Sequence, residues 1–167
     1  DLAMTDGLTG LHNSRYFRAQ IGPEIQRAEN LGQPLSLLML DVDNFKRFND
    51  QYGHLQGDRV LTRLGDTISA QIRETDCACR YGGEEFAVIM PGISGATALE
   101  VADRIRRAFS EQRFVPVQGR KVGVTVSVGA AEYVSGLMPD DFIERADQAL
   151  YASKASGKNA QRLWSQG

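Results

Sequence analysis

Four carboxylates carry the clearest chemical signal in the sequence: Asp41 and Asp43 at the end of an apolar run, and Glu84 and Glu85 directly after Gly82-Gly83. Two carboxylates about 4 Å apart repel by roughly 4 kcal/mol at an effective dielectric of 20, so a fold that gathers them must protonate, hydrate or neutralise them. Hard oxygens with no thiolate or imidazole nearby favour Mg²⁺ or Mn²⁺ over zinc. Mg²⁺ usually keeps some waters and takes phosphate oxygens from a substrate, which points to nucleotide chemistry. Glycines in the turn let such a substrate approach the backbone closely. Taken alone, an acidic turn after two glycines is an ordinary hairpin.

The elements decide whether these acids meet. Tyr16, Phe17, Ile21, Ile25, Ala28 and Leu31 recur at helical spacing over 14–31, and Gly32-Gln33-Pro34 stops the run. Residues 35–42 form a near-continuous apolar run of strand length, as in a central strand buried on both faces. After a polar turn, Val60, Leu61, Leu64, Ile68 and Ile72 stripe a second helix expected to begin near Gly57-Asp58, where Asp58 would meet its positive end. Strands over 77–81 and 85–90 flank the Gly82-Gly83 turn, whose glycines are expected to supply positive φ. A third helix carries Ala98, Val101, Ala102, Ile105, Ala108 and Phe109; a glycine-interrupted strand runs over 122–134; Pro139 opens a last helix with Phe142, Ile143, Ala146, Ala149 and Leu150 inward.

Without the first and last helices the order is strand, helix, strand, strand, helix, strand, a ferredoxin-like βαββαβ core in an α+β fold. A right-handed crossover makes the first two strands parallel, and the third fills the gap between them, antiparallel to both. Asp41 and Asp43 are therefore expected to face Glu84 and Glu85 at one rim.

At 167 residues and 42% hydrophobic, the chain fits one domain over 1–167 with a single core. The opening Asp1-Leu2-Ala3-Met4 and the missing initiator methionine read as a fragment of a longer chain. A formal charge of −2, from 19 basic and 21 acidic residues, gives no pull toward nucleic acid or anionic lipid. No membrane span or signal-peptide layout is present, so the domain is expected in the cytoplasm without membrane contact. Cys77 and Cys79 share a strand face, poorly placed to bridge, and are expected reduced and partly buried. His54, with His12 the only other histidine, is expected to serve a turn.

The runs Asp41-Val42-Asp43-Asn44-Phe45-Lys46-Arg47-Phe48-Asn49-Asp50, Gly53-His54-Leu55-Gln56-Gly57-Asp58 and Arg80-Tyr81-Gly82-Gly83-Glu84-Glu85-Phe86 resemble, in order, the GGDEF family of diguanylate cyclases. So do Leu8-Thr9-Gly10-Leu11 with Asn13, and 146–151 running into Lys154-Ala155-Ser156-Gly157-Lys158-Asn159. The resemblance spans almost the whole chain. It implies a palm-type sheet flanked by helices, related to nucleotidyl cyclase catalytic domains. It also implies a homodimer in which two GTP molecules condense to cyclic di-GMP.

By that resemblance Asp41, the Val42 carbonyl and Glu85 would hold two Mg²⁺ or Mn²⁺ ions, with Glu84 serving the second metal or deprotonating the 3′-hydroxyl. Asn49 and Asp58 would bind guanine; Asn44, Phe45, Lys46, Lys154 and Lys158 would line the triphosphate. The family usually has arginine where Lys158 stands, so a point charge replaces a bidentate fork there. Arg73-Glu74-Thr75-Asp76 lies at the spacing of the family's inhibitory RxxD site for product, with Arg104 as a candidate second arginine. Read by itself, Arg73 with Asp76 would be a surface ion pair worth well under ~1 kcal/mol. Ser14 stands where the family often has the first of two arginines after Asn13.

Overall fold

The computed structural model describes residues 2–166. Its centre is β1 (Leu35–Val42), whose side chains are buried on both faces except at Asp41. Antiparallel β3 (Glu85–Pro91) lies on one side of it and antiparallel β6 (Val126–Glu132) on the other. Beyond β3 comes β2 (Cys77–Arg80), and beyond β6 comes parallel β7 (Gln161–Leu163), giving the order β2-β3-β1-β6-β7. Within it, β1 and β2 run parallel with β3 between them, the arrangement that the handed crossover requires.

Helices cover both faces. Leu38, Leu40 and Val42 point to the side packed by α2 (Phe45–Tyr52), α3 (His54–Gln71) and α4 (Gly95–Ser110), through Phe48, Leu64, Ile68, Ile105 and Phe109. Leu35, Leu37 and Met39 point to α1 (Ser14–Leu31) and α5 (Pro139–Ala155), against Phe17, Ile21, Phe142 and Ala146. Alternation along one strand thus feeds two cores, each fully buried Leu or Phe contributing roughly 1.5–3 kcal/mol. The ends of α1 are set locally: the Asn13 side chain accepts from Tyr16 N–H at 3.0 Å, and Gly32 closes the helix at φ 61°.

Several expectations change. The segment after β1 is a helix, α2, rather than a polar turn, and α3 starts at His54 rather than near Gly57; Asp58 therefore sits one turn inside α3, exposed to solvent. The amphipathic pattern of α2 is too short to separate from a loop by periodicity. The expected strand over 122–134 divides: Val122 belongs to β5 (Arg120–Val122), which pairs with β4 (Phe114–Val117) in a separate ribbon, and only Val126–Glu132 enters the sheet.

The helix α5 packs closely on β6. A Cβ on Gly129 would run into the backbone of Ala146 and Leu150, and Ser153 Oγ donates to the Val128 carbonyl at 2.6 Å. Glycine here brings the helix backbone onto the sheet, and that fixes where the next residue after Ser153, Lys154, projects.

Candidate active site

The β1–β3 register sets Asp41 directly opposite Glu85, and Val42 N–H donates to the Glu84 carbonyl at 3.3 Å. Tyr81 and Gly82 N–H groups both donate to the Glu85 carbonyl, at 2.8 and 3.0 Å, closing the turn. Arg80 clamps it from outside: Nε and Nη2 donate to the Gly83 carbonyl at 3.1 and 2.8 Å, and Nη1 pairs with Asp6 at 3.2 Å. Asp6 is itself held by Thr9 N–H and Oγ1 at 2.9 and 2.7 Å. Contrary to expectation, neither Gly82 nor Gly83 has positive φ. A Cβ on Gly82 would lie 2.8 Å from Glu85 Oε1, the flexible end of that side chain, and would push the carboxylate aside; Gly83 opens to solvent.

The carboxylates divide into two environments. Burial pushes Glu84 and Glu85 upward from the usual carboxylate range, and the Asp41 charge pushes both further; Asp147 on α5 adds to the effect on Glu85. Lys154 Nζ donates to Asp41 Oδ1 at 2.8 Å and Asp43 Oδ1 at 3.2 Å. Burial alone would lower the Lys154 ammonium, but its bonds to Asp41 and Asp43 win and raise it. Asp43 does not face Glu84 and Glu85 as expected. It is buried, accepting from Ser127 Oγ at 2.7 Å, Thr125 Oγ1 at 2.8 Å and Asn159 N–H at 2.9 Å. That carboxylate ties β6 and the 157–159 turn to β1; Lys154 pairs with Asp41 and Asp43 and lends only its charge to Glu84 and Glu85.

Among the described residues no three His, Cys, Asp or Glu side chains form a complete metal cage. The donor set nonetheless suits a hard cation bound by one or two carboxylates, a carbonyl and substrate phosphates, which is how Mg²⁺ is usually held. Raised Glu84 and Glu85 are the electrostatic cost that such a cation would remove.

Around this rim the other candidate residues form two groups. Asn44 opens α2 in the left-handed conformation (φ 57°), and its Oδ1 accepts from Lys158 Nζ at 2.7 Å; Lys158 and Asn159 are also left-handed, at φ 65° and 46°. Phe45 is buried beneath them while Lys46 is exposed on the first turn of α2. Asn49 and Asp58 come from α2 and α3 respectively. Asn49 Oδ1 is buried without a hydrogen-bond partner, and a Cβ on Gly57 would fall on that same oxygen. An orphaned polar atom in a cradle that only glycine leaves open is what an incoming donor group would satisfy.

Arg73, Asp76 and Arg104 lie at the opposite rim. Arg73 is fixed in plane: Nη2 donates to Asp76 Oδ1 and to the Pro91 carbonyl, both at 2.6 Å, while Nε and the backbone N–H reach Asp76 Oδ2 at 3.2 and 2.8 Å. Asp76 is buried, so this is more than the loose surface pair that spacing alone implies. Arg104 reaches across from α4 to the Gln71 side chain and carbonyl, both at 3.3 Å. His54 starts α3, exposed.

A family model described as "Diguanylate cyclase, GGDEF domain" matches residues 3–160. The chain belongs to the GGDEF family. It is 45% identical over 162 residues to the response regulator PleD of Caulobacter vibrioides, covering 96% of this chain and 36% of that protein. The diguanylate cyclase DgcS of Shewanella oneidensis is 41% identical over 161 residues, 96% of this chain and 53% of its own length. The crystal structure of the GGDEF domain of DgcB from Caulobacter crescentus, in complex with c-di-GMP, superposes with a TM-score of 0.94 at 36% identity, covering 98% of this chain and 94% of that one. The chain thus spans from about a third to about half of these curated relatives. As in that family, the fold is α+β, a mixed five-strand sheet flanked by helices. Among the described residues no helix is long and apolar enough to cross a membrane.

Sequence reading missed the Asp6–Arg80 clamp, the Ser127 and Thr125 bonds to Asp43, and the contact of Gly57 with Asn49. Arg80 and Gly57 lie within the family-like runs; nothing in the chain pattern singles out Asp6, Thr125 or Ser127.

Proposed function

We propose that this GGDEF domain is an active diguanylate cyclase, condensing two GTP into cyclic di-GMP and two pyrophosphates between two facing copies. The observation that carries the reading is Asp41 opposite Glu85 with Glu84 alongside, three carboxylates in the field of the one ammonium that pairs with Asp41. Asp41, the Val42 carbonyl and Glu85, assisted by Glu84, would hold divalent cations that neutralise the phosphates and polarise the attacking and leaving oxygens.

The chain's own residues do the rest. Asn49 and Asp58 orient guanine, the Asp58 carboxylate accepting from N1–H and the exocyclic amine, a pairing adenine does not offer. Lys46, Lys154 and Lys158, with Asn44 and Phe45 at the start of α2, hold the triphosphate. The 3′-oxygen of one GTP bonds to the α-phosphorus of the other, the bond from that phosphorus to pyrophosphate breaks, and Glu84 accepts the 3′-hydroxyl proton.

The pinned guanidinium of Arg73, with Arg104 nearby, supports product inhibition at the far rim: with Nε and Nη2 engaged by Asp76 and Pro91, its Nη1 edge and flat face are held in a fixed orientation toward phosphate or guanine, with less entropy to lose. Incubation with GTP and Mg²⁺ should give cyclic di-GMP by chromatography. GTP binding without product at high protein concentration overturns the reading. Arg73→Ala should leave turnover intact and raise the cyclic di-GMP needed for inhibition; unchanged inhibition removes that site.

A further inference from the structure

Beside the far rim, at a cavity that Asp76 and Pro91 also line, the structure joins two thiols. Cys77 and Cys79 point from edge strand β2 toward α1, and their sulfurs lie 3.6 Å apart in a hydrogen-bonded pair. Both are free cysteines, Cys79 buried and Cys77 half-buried. Cys77 lines a cavity of about 160 Å³ with His12, Tyr16 and Glu24. Glu24 Oε2 is buried with no hydrogen-bond partner, and its charge is felt at Cys77. A partly open dithiol therefore meets an orphaned carboxylate oxygen in one small polar cavity.

Geometry narrows what this pair can take. Two residues of strand span about 6.6 Å, the outer limit of Cα separation for a disulfide, so direct S–S closure strains the edge strand. A bent clamp reaches further: with sulfur bonds of about 2.3 Å and angles of about 90–110°, the two sulfurs sit about 3.3–3.8 Å apart, whereas a linear clamp needs about 4.6 Å. The observed 3.6 Å falls in the bent range. No third His, Cys, Asp or Glu completes a cage with them among the described residues, which disfavours structural zinc with its four ligands. The fitting class is a soft centre satisfied by two thiolates.

We propose that Cys77 and Cys79 form a bidentate capture site for thiophilic centres of the trivalent arsenical class. With phenylarsine oxide the step balances without any oxidant: two As–S bonds replace the As–O double bond, and the oxygen leaves as water with the two thiol protons. Arsenic stays trivalent. The bond between the two sulfurs, in which either can donate, holds Cys77 below and Cys79 above the ordinary thiol value, and Cys77 is the half-buried one, so Cys77 attacks first and Cys79 closes the ring.

The test titrates the folded chain with phenylarsine oxide, counting the thiols left after unfolding in urea. One equivalent should remove both thiols, resist excess monothiol and reverse with a small dithiol. Cys77→Ser, at the half-buried position and so the safer variant for folding, should bind at least tenfold more weakly, with Cys79→Ala behaving alike. Equal affinity in wild type and Cys77→Ser overturns the proposal, as does uptake that occurs only once urea has unfolded the chain.

Discussion

The two rims of the sheet treat their carboxylates in opposite ways. At the β1–β3 rim Glu84 and Glu85 are half-buried, pushed upward by burial and by Asp41, with a single lysine among them. At the far rim Asp76 is more deeply buried, yet four hydrogen bonds, one of them to Arg73's own backbone and another to the Pro91 carbonyl, bind the loop into a closed unit around Arg73. Burial alone therefore does not distinguish the two; compensation does. One rim gains free energy when a cation arrives, and the other has already used its cation to fix a guanidinium in place.

Breaking the first rim should cost function and spare the fold. Glu85→Gln is expected to lower cyclic di-GMP formation on the order of a hundredfold or more, since several kcal/mol of charge stabilisation depend on the metals. Removing a repelling charge should leave the metal-free melting temperature unchanged or higher, read by calorimetry. A large fall in stability would mean that the rim is structural after all.

Breaking the second should do the reverse. Asp76→Ala leaves Arg73 and its loop unanchored, and an expected loss of about 1.5–3 kcal/mol, the worth of hydrogen bonds to a charged group, is measurable by urea unfolding. Turnover at low product should survive.

Gly57→Ala sharpens the comparison at the guanine side. The new methyl would displace the Asn49 amide, the flexible end of a side chain, so KM for GTP should rise roughly tenfold, about 1.4 kcal/mol, with little change in melting temperature. An unchanged KM would separate Asn49 from base recognition.

The smallest effect is expected at Asp6, which tethers the turn through Arg80. Burial opposes its ionisation, but Thr9 and Arg80 outweigh it and hold the carboxyl below its ordinary value. The unfolded chain therefore binds the proton more readily, and stability from Asp6 is full above about pH 4 and lost as pH falls through the lowered value. Asp6→Asn should be less stable than wild type at pH 7, with the two curves converging below pH 4. Parallel curves would show that the charge is not what tethers the turn.

Legibility in the sequence follows the range of the forces involved. The bounds of α1 and β1 could be read off because an apolar stripe, an N-cap and a left-handed glycine act within a few residues. α2, the β4–β5 ribbon and β7 could not, since short elements owe their existence to what they pack on. The same holds within the site. Chain order brought Asp41 and Asp43 together to the rim of Glu84 and Glu85, but only the register put Asp41 opposite Glu85, and the two aspartates, which share Lys154, otherwise part company once β6 supplies Ser127 beneath Asp43.

What the sequence determined by itself was the inventory and its order: the acidic turn, the acidic strand end, the basic positions of the last helix and a topology that must bring them to one rim. What only the tertiary structure decided was how each charge is compensated. Lys154 lies between Asp41 and Asp43, Asn49 Oδ1 stays orphaned above Gly57, and two sulfurs stand 3.6 Å apart. Strand and helix periodicity fix which face a side chain takes. Its partner depends on register, on helix-to-sheet distance and on hydroxyls from elements far away in the chain.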